Sequence, residues 1–182
     1  EYNTGSNAGA GIYLKDTGTT QLQSGNIIRF NRLDSVGEVI AFSVTAEGRN
    51  YIYQNIGTNS SSGLSIVGGG LSNDWIFNNT FHNMSLIGAG VSVSGTGGRF
   101  WNNICSNCDT TVYSQGGVMP SENVIDFEHN VYSASRQFYT GTDGNKTFSV
   151  FKSTYSGHDQ STPVSIDSNP LFVSSTDLRL QA

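Results

Sequence analysis

The residues of this chain best equipped for chemistry are two carboxyls, two thiols and a row of aromatics and arginines. Asp126 and Glu128 stand two apart in a run that reads as a strand, so both leave by the same face. Carboxyls that close repel, and the repulsion can keep one protonated for use as a general acid. They are the catalytic candidates, weighed against plain solvated strand carboxylates. Cys105-Ser106-Asn107-Cys108 is a C-x-x-C. It has no second pair and no His-x3-His to complete four zinc ligands, and no thioredoxin-like unit surrounds it. Two expectations remain: apolar packing of Cys105 in a core, or a local disulfide between Cys105 and Cys108. The three His are scattered. No metal and no cofactor is expected.

The row of aromatics depends on a repeat. Ile28-Arg29-Phe30-Asn31, Ile52-Tyr53-Gln54-Asn55, Ile76-Phe77-Asn78-Asn79, Phe100-Trp101-Asn102-Asn103 and Phe127-Glu128-His129-Asn130 are copies of one phrase, and their last Asn residues are 24, 24, 24 and 27 residues apart. A period this regular means stacked supersecondary units, none able to bury its apolar face alone. With the first residue of each phrase pointing inward, the residues on either side of it point out. The outward pairs are Ile27 and Arg29, Tyr51 and Tyr53, Trp75 and Phe77, Arg99 and Trp101, and Asp126 and Glu128.

Each unit reads as three short strands. The first is an apolar run such as Gly11-Ile12-Tyr13-Leu14, Gly63-Leu64-Ser65-Ile66 or Thr111-Val112-Tyr113; the second enters the phrase; the third places Leu33, Gly57, Phe81, Cys105 or Tyr132 two positions after the Asn. About 24 residues per turn, with tight bends, predicts an all-β coil of five to six turns whose neighbouring turns pair in parallel. The repeated Asn suits the bends, because it tolerates left-handed backbone and its amide both donates and accepts. Asn31, Asn55, Asn79, Asn103 and Asn130 are therefore expected to form a structural ladder. Residues 1–140 would be the coil and 141–182 a tail of the same domain packed on its side.

Composition narrows the partners. Ten Phe, eight Tyr and two Trp with 13% charged residues describe a chain that folds. A net charge of −5 argues against a nucleic-acid partner, which needs a basic face. No apolar run approaches the roughly 18 to 20 residues of a membrane helix. The opening Glu1-Tyr2-Asn3 reads as the start of a processed or excised chain. Sequons at Asn59, Asn78, Asn83 and Asn145 are no more than this Asn, Ser and Thr content gives by chance.

The phrase Ile-x-Asn-Asn-x-Phe at Ile76 to Phe81, preceded by Gly-Leu-x-Ile, resembles the repeat of right-handed parallel β-helix proteins. Phe148-Ser149-Val150-Phe151, Gly157-His158-Asp159-Gln160-Ser161 and Asn169-Pro170-Leu171-Phe172 resemble the closing segment of secreted bacterial members, many of them polysaccharide lyases or glycoside hydrolases. The resemblance implies a secreted or cell-surface, carbohydrate-related setting. It transfers no catalytic residue, because the family's catalytic patterns and its N-terminal capping helix are not legible here. Fold does not imply function.

Two faces then compete as sites. The first-strand face, where enzymes of that family hold substrate, offers Tyr13, Ser65 and Ser92, with Lys15 and Asp16, and Asp34 and Glu38, as its only nearby titratable groups. That is poor equipment for glycosidic hydrolysis, which normally uses two carboxyls. The phrase face offers Arg29, Tyr51, Tyr53, Trp75, Phe77, Arg99 and Trp101. An aromatic patch of that size implies contact with a polysaccharide, with another protein chain, or with the chain's own tail, where Phe148, Phe151 and Tyr155 recur at helical spacing. The functional expectation is an extracellular carbohydrate-interacting domain, one form of which would be the distal part of a glycan-active enzyme. The other class is a structural or adhesive module assembling with itself through the coil's unpaired ends.

Overall fold

A short strand with one apolar residue between polar ones gains burial only by stacking on its like. Five such strands do so here. The structure, a computed structural model, describes residues 4–6, 8–15, 24–43, 49–66, 71–92, 95–115, 119, 121, 123–133, 137–158, 166–170, 172 and 178. Glu1 to Asn3, Asp16, Asp159 to Ser161 and Leu171 lie outside them. Ile27–Arg29, Tyr51–Tyr53, Trp75–Phe77, Gly98–Trp101 and Ile125–Glu128 form one parallel sheet in that order. Its register aligns Ile28, Ile52, Ile76, Phe100 and Phe127 in a single inward column. All five are buried.

A second parallel sheet runs through Thr4–Ser6, Arg32–Asp34, Ile56–Thr58, Thr80–Ser92, Ile104–Gln115, Val131–Ser133 and Ile166–Asp167. Leu33, Gly57, Phe81, Cys105 and Tyr132 share its inward column. The expected first strands, Ala10–Lys15, Glu38–Ser43, Ser62–Ile66 and finally Gln137–Thr140, join this sheet, because in the two longest strands the third strand runs on into the next first strand. The corner there is a register shift between Met84 and Ile87, near the left-handed Asn83. The chain is thus an all-β parallel solenoid. Five phrases make five rungs with about four complete turns, fewer than five to six, since a turn is the interval between rungs.

The ladder runs the length of the coil. The side-chain amides of Asn31, Asn55, Asn79 and Asn103 donate to the Oδ1 of the next member at 2.8, 2.9, 3.0 and 3.3 Å, ending on Asn130. Each accepting Oδ1 also takes the backbone N–H of the preceding member. From Asn55 onward the amides also donate to the carbonyls of Ile28, Ile52, Ile76 and Phe100. The left-handed backbone, however, belongs to the residue before each ladder Asn: Phe30, Gln54, Asn78, Asn102 and His129, with φ of 54 to 58°. That residue turns the corner with its side chain outside, and the turn swings the Asn inward, where all five are buried.

Two shorter ladders share the period. Asn26 donates to Asn50 and Asn50 to the buried Asp74, through both backbone and side-chain N–H groups. On the outside, Asn107 donates to Asn83, Asn83 to Asn59 and Asn59 to Asp34. Hydrogen bonds from Thr58, Asn59 and Ser35 hold the Asp34 carboxyl below its usual range. It is an ionised acceptor that ends a ladder, unlike a general acid.

The tail divides between the end and the side of the coil. Helix Phe148–Thr154, N-capped by Thr147, buries Phe151 against Phe138 and Tyr139 of the last strand, while Phe148 packs on Tyr132. His158 sits edge-on to Phe127 and stacks with Phe151. Phe127, Tyr132 and Tyr139 are inward residues of the last rung, whose apolar faces would otherwise meet water, so the helix caps the end. Phe172 lies against the flank, edge-on to His82 at 5.4 Å.

The cap is tied down by one carboxylate. Asp143 accepts from Tyr139 at 3.1 Å and from Tyr155, and Lys146 pairs with it at 2.8 Å. Burial pushes its pKa up, but the bonds from Lys146, Tyr155 and Tyr139 outweigh this and bring it down to about 2. A carboxyl depressed on folding adds stability above its unfolded pKa of about 4 and loses it as pH falls through the folded value. Acid titration followed by Tyr near-ultraviolet dichroism should therefore show the cap loosening as pH falls from about 4 toward 2. Asp143→Asn is expected to remove that transition and lower stability at neutral pH. An unchanged transition would exclude Asp143 as its source.

Candidate ligand-binding face

The sheet of repeated strands sets its outward residues in two columns. Ile27, Tyr51, Trp75, Arg99 and Asp126 form one, and Arg29, Tyr53, Phe77, Trp101 and Glu128 the other. Alternation in three-residue strands, repeated every 24 residues, is enough to build it.

In the middle of the face, cations and indoles alternate along the coil. Arg49, in the bend before its rung, lies 4.8 Å from the centre of the Trp75 ring, and Arg99, from the following rung, lies 4.7 Å from it. Arg99 also lies 4.4 Å from Trp101, whose Nε1 donates to Asp126 Oδ2 at 3.1 Å. Tyr51 meets Trp75 edge-on. Alongside, Tyr53 and Phe77 stack at 4.9 Å and 8°, and Arg29 donates to the Tyr53 hydroxyl at 2.9 Å.

Two clefts open onto Trp75, Arg99 and Trp101. One, of about 170 Å³, is completed by Ile76, Phe77 and Asn102. The other, of about 250 Å³, is more polar and is completed by Arg49, Asn73, Gly97, Gly98, Asn123 and Asp126. Gly97 keeps it open: its φ is +71°, and a Cβ there would stand 2.6 Å from Asn73 Oδ1. The described tail residues Phe148, Phe151 and Tyr155 dock on the end of the coil, so this face is not their docking surface.

The paired carboxyls do not meet in a cleft. Asp126 lines the polar one, whereas Glu128 is buried and lies 3.5 Å from His129 Nε2. Cys105 and Cys108 are free thiols, both buried in the core, so no disulfide joins them. Burial pushes both pKa values up, that of Cys108 to about 12. Among the described residues no three His, Cys, Asp or Glu side chains gather as metal ligands, and no helix is long and apolar enough to cross a membrane. On the first-strand face Tyr13 is 51% exposed and Ser65 half-buried.

Sequence reasoning missed Arg49, Asn73, Gly97 and Asn123. The first three stand 24 residues apart, at the bend that precedes each phrase. Following the period two residues further back would have found them. Compared with family models, curated proteins and solved structures, the chain matches none.

Proposed function

We propose that this chain is an extracellular carbohydrate-binding domain and that a glycan lies along the phrase face, over Trp75, Arg99 and Trp101. The observation that carries the reading is the pair of adjoining clefts around those three residues. Indole edges, guanidinium and amide donors and one carboxylate converge there at the size of a sugar ring. Such a mixture of aromatic edges and fixed polar groups suits a ligand with hydroxyls around an apolar ring. The role is binding, because neither of these clefts has the two carboxyls that glycosidic hydrolysis normally requires.

The competing class, a module that assembles head to tail, has an observation against it. The helix over the last rung covers one of the two ends such a filament would join.

Both Trp of the chain stand on this face, so intrinsic fluorescence reads it alone. Titration with a panel of soluble plant and bacterial polysaccharides should shift or quench the emission for at least one of them. Trp101→Ala is expected to weaken that binding about tenfold, and Tyr13→Ala on the other sheet to leave it unchanged. If no polysaccharide changes the emission or the electrophoretic mobility, the reading fails.

A further inference from the structure

We infer, resting on the glycan reading above, that the ligand is acidic and that its carboxylate or sulfate is held between Arg49 and Arg99 over the edge of Trp75. The first argument is the setting of the rings. Tyr53 and Phe77 are parallel to within 8° with ring centres 4.9 Å apart along the coil, so they stand like plates on a rack. Guanidiniums come within 4.8 Å of the Trp75 centre from the rungs before and after it, and Arg99 continues to Trp101. Ring faces that a neutral sugar would use for stacking are already engaged by cations. What the wall turns outward is edges.

The second argument is what those edges offer. A guanidinium has five N–H donors in its plane and no acceptor. Stacking on an indole fixes the plane without consuming the donors, and the resulting fork matches the two oxygens of a carboxylate or sulfate. Among the described residues neither Arg49 nor Arg99 has a carboxylate within ion-pair distance, in a protein of net charge −5. Two guanidiniums beside one indole, neither of them in an ion pair among those residues, with the neighbouring Asp126 engaged by the Trp101 indole, form a ready site for an anion. Lying 4.8 and 4.7 Å from one ring centre, they are close enough for a single acidic group at the ring edge to contact one and be attracted by the other, or for two such groups to be read along an extended chain.

The third argument places the anion. Asp126 lines the polar cleft on its Trp101 side and accepts the Trp101 indole N–H. Its charge repels an anion from that end, leaving the Arg49 end for the acidic group and the Asp126 end for hydroxyls, which a carboxylate accepts well. A polymer lying along the coil would meet the two ends in turn.

The test uses matched pairs of polymers: polygalacturonate with its carboxyl-reduced form, and a sulfated galactan with its desulfated form, titrated by Trp fluorescence. The acidic member of at least one pair should bind at least about tenfold more tightly than its neutral counterpart, with an advantage that shrinks as salt is raised. Which pair responds tells carboxylate from sulfate. Arg49→Gln and Arg99→Gln should each remove most of the advantage, Arg99→Lys should restore only part of it, and Asp126→Asn should increase it. Equal binding of acidic and neutral members, or tighter binding of the neutral ones, overturns the inference and leaves the glycan reading standing. Binding of none of the four overturns the inference, while the glycan reading falls only if the wider polysaccharide panel also fails to bind. The salt series is run on the unaltered protein, so a variant that fails to fold does not decide the result.

Discussion

Asn79→Leu is expected to be among the most damaging single changes in the coil, costing at least about 3 kcal/mol. Asn79 stands in the middle of the ladder. It donates to Asn103 Oδ1 at 3.0 Å and to the Ile52 carbonyl at 2.9 Å, and its own Oδ1 accepts both the backbone and the side-chain N–H of Asn55. Leucine has the same branching at Cγ but is bulkier, and it has none of these groups. The variant would leave the Asn55 backbone N–H without its partner inside the coil, where an orphaned group costs about 1 to 3 kcal/mol, and would take one donor each from the Ile52 carbonyl and from the Asn103 oxygen, which keeps the Asn79 backbone N–H. Chemical denaturation should show the loss. Asn55→Leu should behave alike, while Asn107→Gly in the exposed ladder, which keeps the left-handed backbone available, should cost far less, because water replaces its partners. Equal and small effects at all three positions would mean that the buried ladder does not hold the turns in register.

Phe151→Ala is the second large effect, about 3 to 5 kcal/mol against the docking of the cap. Phe151 is the buried residue of the helix and touches Phe138, Tyr139, Tyr155 and His158. Without its ring only Phe148 and Tyr155 hold the helix, and the last rung exposes Phe127, Phe138 and the open edge of the Ile125–Glu128 strand. Such an edge recruits other chains. The expected result is therefore loss of cap signals together with association that grows with concentration, visible by light scattering. A variant that loses the cap and stays monomeric would show that the last rung needs no cover.

How much of this was legible in the sequence depends on whether a column needs one residue type. The ladder needs an amide on every rung, so the period declared itself in Asn31, Asn55, Asn79, Asn103 and Asn130, and the inward and outward columns followed from strand alternation. The bends need only a tolerated φ, and Phe30, Gln54 and His129 occupy the left-handed positions beside Asn78 and Asn102. Nothing in Phe, Gln or His marks a left-handed residue, so the position was assigned one residue late. The column of Arg49, Asn73 and Gly97 shares the period but no chemistry. Only the geometry gathers Arg49 and Asn73 around Trp75. The helix was legible in the spacing of Phe148, Phe151 and Tyr155, but its docking surface was not, because spacing along a chain does not say which apolar surface the rest of the fold leaves open.

The face that binds is the central claim, and two faces of the coil are in competition for it. The first-strand face carries the exposed Tyr13 and the half-buried Ser65 and Tyr113, while the phrase face carries the clefts around Trp75, Arg99 and Trp101. The most direct measurement is a nuclear magnetic resonance titration of the isotopically labelled chain with an acidic oligosaccharide, following the two indole N–H signals, the Arg side-chain Nε–H signals and the backbone amides together. The account expects the largest shifts at the Trp75 and Trp101 indoles and at Arg49 and Arg99, fading toward Ile27. Shifts centred on Tyr13, Ser65 and Tyr113, with both indoles unmoved, would contradict it.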